Sequence, residues 1–236
     1  MTGELGGSCF GCQVRHTSEW CALNDAELTL LNNVKVPKSY EAGTTLFHQG
    51  DDCDGIYCVS SGLIGIRRLD ADGNSTLVRL CGPGETVGYR SFLKKSGHRS
   101  TAEIMLPSVV CFVRRATVRT LLEQNPNLGL RFLDHTLKDA EEFEDRHFES
   151  VTLTVKARLL SLLMVLYERF GYLNENGESM IDLPISRQDI AALIGASPET
   201  ISRSISAVQD EGLAQFKGRE VRFRNLDALI EQLRPA

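Results

Sequence analysis

The sequence predicts an α+β chain in which an N-terminal β-roll is joined by one long helix to a C-terminal winged helix-turn-helix. Three observations carry this. Short alternating segments broken by glycines run from Lys35 to about Val113, the texture of a small roll or barrel. Leu130, Leu133, Leu137, Ala140, Glu144, His147 and Val151 then recur at 3-4 spacing, as on a long helix that pairs with another. Near the C-terminus, Arg187 to Arg203 reads as two helices around Gly195.

In chain order, residues 1–23 form a cysteine-bearing arm, 24–126 the roll, 127–151 the long helix and 152–236 the DNA-binding domain. Asn24 caps a short helix ending near Val34, with Glu27 at the capping-box position. Thr45–His48, Gly55–Val59, Leu63–Ile66 and Ser75–Leu80 read as separate strands, and Asp70-Ala-Asp-Gly73 as a hairpin tip. Val155–Phe170 is a strongly apolar helix, and Ala214–Phe223 a hairpin about Gly218 that would serve as the wing.

In the helix pair, Ile190, Leu193, Ile194, Ile201 and Ile205 fall inward, and Ala191 lets the helices approach. Ser197 suits an N-cap, Pro198 the first helical position and Glu199 the first turn. The exposed start of the second helix then carries Glu199, Ser202 and Arg203, placed to reach base edges. Arg can pair with guanine through two bonds, Glu can accept from cytosine and Ser serves either way. Arg187 and Thr200 are candidate phosphate contacts. The plainer alternative is a helical hairpin with a solvated polar face.

Net charge is −5, which on its own argues against nucleic acid. Seven acidic residues against Lys138 and Arg146 between Asp134 and Glu149 account for that excess. Arg187, Arg203, Lys217, Arg219, Arg222 and Arg224 remain available to phosphates. No apolar run is long enough for a bilayer, and the first residues lack a leader pattern, so a cytoplasmic location is expected. The seven cysteines are then expected as thiols. Cys9, Cys12 and Cys21 crowd the arm, close enough to wrap a soft metal centre. Cys53, Cys58 and Cys81 read as core or surface thiols, and His16 and His98 as candidate ligands or, more simply, surface residues. No phosphate loop, nucleophile elbow, HExxH or dinucleotide fingerprint is present, so no catalysis is expected.

Tyr40-Glu-Ala-Gly-Thr-Thr-Leu-Phe-His-Gln-Gly50, Gly62, Cys81-Gly-Pro-Gly-Glu-Thr-Val-Gly88 and Glu199-Thr-Ile-Ser-Arg203 together resemble the catabolite activator/FNR superfamily over nearly the whole chain. FNR denotes the fumarate and nitrate reduction regulator. The resemblance implies a double-stranded jelly roll of the cyclic-nucleotide-binding type, a homodimer joined through Leu133, Leu137, Ala140, Glu144, His147 and Val151, and RNA polymerase as a partner on double-stranded DNA. Glu-Thr-Ile-Ser-Arg is similar to the FNR branch, which implies TTGAT-type palindromic sites. Arg99-Ser100 resembles the phosphate half of a cyclic-nucleotide pocket, but Tyr89 stands where the ribose carboxylate would be, which argues against cyclic AMP. Cys111 lies on the strand that resembles the one bearing the fourth ligand of that branch, implying an oxygen-labile 4Fe–4S cluster on Cys9, Cys12, Cys21 and Cys111. The Cys12–Cys21 interval of eight residues departs from the shorter family spacing. Zinc on the same thiolates, or the same scaffold answering to a small organic ligand, haem or redox state without a cluster, are the alternatives.

Overall fold

The structure, a computed structural model, describes residues 7–226 and 229. Met1–Gly6, on which the missing leader pattern is read, and 227, 228 and 230–236 of the expected DNA-binding domain lie outside these residues. Two compact units emerge, Met1–Ala140 and Glu141–Ala236.

The first unit opens with three 3-10 turns, Cys9–Gly11, Arg15–Thr17 and Glu19–Ala22, followed by α1 (Asp25–Val34). The Asn24–Glu27 capping box forms as the sequence predicts. The roll comprises β1 (Val36–Tyr40), β2 (Thr45–Phe47), β3 (Gly55–Leu69), β4 (Ser75–Cys81), β5 (Thr86–Val87) and β6 (Thr101–Arg114), with α2 (Tyr89–Lys94) before β6 and α3 (Arg115–Gln124) after it. All pairs are antiparallel in the order β1-β6-β3-β4, with β2 on β6 and β5 on β3. The two strands expected at Gly55–Val59 and Leu63–Ile66 are one strand. β3 runs through Gly62 by shifting register against β6, because a bulge absorbs the break without ending the ladder.

Alternation along β3 and β6 divides the core. Val59, Ile64 and Val110 pack inside the roll with Phe47 and Ile104. Ile56 and Val113 pack outward under the arm, with Cys9, Trp20, Leu28 and Leu31. Gly84 admits the arm here: its φ is +92°, and a Cβ would stand 2.4 Å from Thr17 Oγ1.

The long helix is α4 (Pro126–Thr152), whose Leu128, Phe132 and Asp139 are buried. Its opposite stripe is bare: Leu130, Leu133, Leu137 and Val151 are 53–74% exposed. Phe143 and Phe148, which the spacing argument passed over, are exposed as well.

The second unit contains α5 (Val155–Phe170), β7 (Tyr172–Leu173), β8 (Ser179–Asp182), α6 (Arg187–Ile194), α7 (Pro198–Asp210), β9 (Ala214–Lys217) and β10 (Glu220–Phe223). Its sheet order is β7-β8-β10-β9, so the expected wing hairpin is built onto a second hairpin that the sequence reading did not resolve.

Candidate functional site: a cysteine cavity and a DNA-reading helix

Beneath the arm lies a cavity of about 340 Å3. Its walls carry the thiols of Cys9, Cys12, Cys58 and Cys111, with Arg15 and Lys35, and among the described residues no carboxylate or imidazole. Cys9 is fixed by its backbone N–H, which donates to Asn32 Oδ1 at 2.8 Å. Cys111 enters from β6, directly across the ladder from Cys58 on β3. Burial pushes the Cys111 thiol up, while the Lys35 ammonium pulls it back toward the thiolate. Arg15 Nε is buried without a hydrogen-bond partner. Among the described residues no group of three or more Cys, His, Asp or Glu is arranged to hold a metal ion, so the thiols ring the cavity without converging.

Three of the four sequence-predicted ligands thus share one cavity. Cys21 does not line it. Its Sγ instead accepts from Arg131 Nη2 at 2.8 Å and Nε at 3.1 Å. Cys58, read as an ordinary thiol, stands in the wall, where Trp20 Nε1 donates to it at 2.7 Å. Burial, reinforced by the Glu19 charge, pushes the Cys58 thiol far up, which disfavours the thiolate a metal requires. Cys81 is pushed up to about 12, chiefly by burial, and Cys53 is buried with its thiol on the Gly55 carbonyl at 3.3 Å. Both are core residues. His98 is no surface residue: it is 5% exposed and stacks on Phe47 at 3.6 Å. His16 is exposed.

A buried polar cluster adjoins the cavity. Asp139 Oδ2 accepts from Arg79, Arg90 and the Tyr89 hydroxyl. His135 Nδ1 pairs with Glu19, whose other oxygen accepts from Thr86 Oγ1 at 2.6 Å. Asp139, one of the seven acidic residues counted between Asp134 and Glu149, is thus the buried one among them. The group at the ribose-carboxylate position, Tyr89, is also spent: its ring stacks on Phe132 and His135 and its hydroxyl is committed to Asp139. Arg99 is exposed. Burial opposes the charged form of Asp139, but Arg79, Tyr89 and Arg90 outweigh it and hold the carboxyl below its ordinary range. Burial likewise opposes the His135 cation, and Glu19 and Asp139 outweigh it.

In the second unit, Ser186 and Asp189 close a capping box on α6. Gly195 takes φ 65°, the left-handed turn an L side chain resists. Ser197 then accepts from the Thr200 N–H at 3.2 Å, with Pro198 at the first position of α7. Ile190, Ala191, Ile201 and Ile205 are buried as predicted, whereas Leu193 and Ile194 are only half-buried. Glu199, Ser202 and Arg203 all face solvent. Arg203 Nη2 donates to Thr200 Oγ1 at 3.3 Å, and the helix-start N–H, then Ser197, hold the Glu199 carboxyl ionised. Arg187 is exposed at the start of α6. Arg222, expected for phosphate, is instead paired with Glu178 at 2.9 Å.

A capped helix pair with an exposed polar face and a β-wing is the arrangement of a DNA-reading device, and it stands in the second unit, apart from the roll. That defines a two-part DNA-binding regulator. Comparison narrows the class: residues 37–125 match the cyclic nucleotide-binding domain and residues 157–232 the Crp-like helix-turn-helix domain. The chain belongs to the CRP/FNR superfamily of transcription regulators, which are not enzymes. It is 28% identical to the transcriptional activator protein FnrL of Cereibacter sphaeroides, across 95% of this chain and 91% of that protein. It is also 28% identical to the fumarate and nitrate reduction regulatory protein of Escherichia coli K12, across 97% and 92%. The structure of FixK2 from Bradyrhizobium japonicum superposes with a TM-score of 0.71 at 24% identity, covering 86% of this chain and 99% of that one. No helix among the described residues is long and apolar enough to cross a membrane.

The Asp139 cluster makes a stability prediction. Asp139→Asn should cost about 3 kcal/mol, because it takes the nearer counter-charge from Arg79, leaving it Glu85 alone, and uncharges the acceptor shared by Tyr89 and Arg90. Since the folded carboxyl titrates below its ordinary range, this contribution is present above that range and lost as pH falls through the folded value. Urea unfolding of both proteins across acidic pH would show the gap close. A gap independent of pH would mean that shape, not charge, holds the site.

Proposed function

We propose that the chain is an FNR-type regulator whose arm and roll hold an oxygen-labile 4Fe–4S cluster and whose α7 reads TTGAT-like palindromes as a homodimer. One observation carries the cluster: Cys9 and Cys12 of the arm and Cys111, a hundred residues on, line one cavity whose described walls hold thiols and cations and no carboxylate. Thiols suit soft iron, and the positive charges of Lys35 and Arg15, with the orphaned Arg15 Nε, suit an anionic all-thiolate centre. Cys21 is the fourth ligand, supplied by the arm. Cys58 is disfavoured by its burial and by the nearby Glu19 charge, both of which oppose the thiolate. Bound there, the cluster would supply an oxygen-sensitive centre. The chain's own residues do the rest: the thiolates anchor the arm, Lys35 offsets their charge, and the 3-10 turns shield them. The names FnrL and fumarate and nitrate reduction regulatory protein borne by the relatives support this reading. Tyr89 argues against a cyclic nucleotide, since it removes the carboxylate such a ligand needs.

In function the roll, about residues 24–126, is the sensor, 127–151 the dimerisation helix and 152–236 the DNA-binding domain, with RNA polymerase the protein that the bound dimer addresses. Glu199, Ser202 and Arg203 contact bases, and Arg187 and Thr200 contact phosphates. The bare stripe of α4 supports pairing through Leu133, Leu137, Ala140, Glu144, His147 and Val151, all of them exposed.

The cluster is tested by anaerobic purification with absorption spectra and iron and sulfide counts. Serine in place of Cys9, Cys12, Cys21 or Cys111 should abolish the brown chromophore, while serine at Cys53, Cys58 or Cys81 should keep it. Loss at Cys58 with retention at Cys21 would move the fourth ligand to β3. A colourless wild type holding stoichiometric zinc would replace the cluster altogether.

Base reading is tested at fixed salt on operators changed one base at a time. Arg203→Ala and Glu199→Ala should each remove about 1–3 kcal/mol of discrimination at one position. Equal weakening on every sequence would make Arg203 a phosphate contact.

Pairing is tested by sedimentation of cluster-free protein. Glu144 sits on the apolar stripe, where two copies would set like charges together. Glu144→Ala should therefore dimerise at lower concentration than wild type. An unchanged association constant would place the seam elsewhere on α4.

A further inference from the structure

The 3-10 turn Glu19–Ala22 is clasped by one stretch of α4 through consecutive side chains. Glu19 pairs with His135. Trp20 meets Phe132 edge-on, with ring centroids 6.1 Å apart. Cys21 accepts both N–H groups of Arg131. Thr86 of the roll holds the far side of Glu19, and Asn125 Nδ2 closes the turn by donating to the Ala22 carbonyl at 2.9 Å. Glu19 and Trp20 are buried, whereas the Cys21–Arg131 contact is exposed. The exposed contact is therefore the one that can exchange without opening the core.

We propose that Arg131 is a positioning residue that holds Cys21 out of the cysteine cavity, so that drawing Cys21 to the cavity releases the turn from α4. The inference rests on the reading of Cys21 as the fourth cluster ligand. Its physical content is a competition. Cys21 cannot accept from Arg131 and also join Cys9, Cys12 and Cys111, because it does not line their cavity. Whatever wins Cys21 must displace two hydrogen bonds, and a ligand shifts such an equilibrium only by its preference for one arrangement. Residues 131, 132 and 135 lie within little more than one turn of α4, interleaved with Leu130, Leu133 and Leu137 of its bare stripe. Loosening the turn therefore bears on the same stretch of helix that is proposed to pair. The cluster-free protein keeps α4 fastened to the arm, and the loaded protein unfastens it at Arg131.

Trp20 is the sole tryptophan of the chain, so its fluorescence reports the turn directly. The experiment uses the full-length protein prepared without oxygen as wild type, Arg131→Ala and Arg131→Lys. Acrylamide quenching of Trp20 is measured in cluster-free protein, and cluster assembly is followed by absorbance after addition of ferrous iron and sulfide. Arg131 is exposed, so unchanged far-UV circular dichroism is expected for both variants. Arg131→Ala should raise Trp20 quenching and speed assembly, each by about two- to fivefold, the range of an exposed charged contact. Arg131→Lys, which keeps a cationic donor, should lie near wild type in both. Arg131→Ala indistinguishable from wild type in both readouts overturns the proposal, and so does a change in only one when wild type assembles normally. If wild type assembles no cluster, the cluster reading fails. Quenching in the cluster-free proteins then still decides whether Arg131 holds the turn.

Discussion

Asp139 ties the cysteine arm, the roll and the long helix of the first unit to one another. A carboxylate with only 4% of its side chain exposed is costly unless its charge is answered. Here Arg79 of β4, with Tyr89 and Arg90 of α2, converges on one of its oxygens. Its other oxygen lies 3.7 Å from His135 Nε2, and His135 in turn pairs with Glu19 of the arm. The chain of contacts therefore runs from arm to helix to roll through the buried Glu19 and Asp139 and the half-buried His135 and Arg79. A buried polar network fixes geometry more sharply than apolar packing, because a displaced member leaves a charge unpaired. The position of the arm over its cavity is specified in this way.

The same helix carries two incompatible demands. Its buried face packs Leu128 and Phe132 and ends on Asp139, while the opposite face keeps Leu130, Leu133 and Leu137 bare. Large apolar groups aligned on one exposed face represent unrealised burial, on the order of 1.5–3 kcal/mol for each side chain fully covered. Glu141, Glu142, Glu144 and Asp145 follow on the same helix, all exposed, and they oppose close approach of a second acidic helix. The exposed apolar groups favour the pairing proposed for this helix, and the acidic groups among them oppose it.

Legibility in the sequence followed the range of the interaction that decides each feature. The caps of α1 and α7 depend on residues three apart, and Asn24 and Ser197 close where propensity puts them; the same short-range pattern at Ser186 and Asp189, which the sequence reading passed over, caps α6. The polar face of α7 follows from its own periodicity. The burial of Asp139 was not legible, because among seven nearby acids nothing local marks the one that will meet Arg79, sixty residues away in the chain. His98 failed for the same reason: its partner Phe47 comes from another strand. Cys58 joins the cavity only through the β3–β6 register, which places it opposite Cys111. Cys21 is the converse case. Its proximity in sequence to Cys12 suggests a shared centre, while the Glu19–Ala22 turn that carries it holds its sulfur on Arg131.

The net charge of −5 ceases to be an objection to DNA once the structure sorts the charges. The acidic excess stands mainly on α4, whereas the elements beside α7 carry exposed Arg187, Lys217 and Arg219. Arg222 and Arg224 are set apart from these. Both donate to Gln215 Oε1, at 2.8 and 3.0 Å, and Arg222 also pairs with Glu178. They brace the wing rather than extend it. The free cations are thus fewer than the sequence count but flank the reading helix, where counterion release by phosphate contacts contributes most to affinity. The groups proposed to read bases and to hold phosphates then lie on neighbouring elements of one unit, so the register set by one is available to the other.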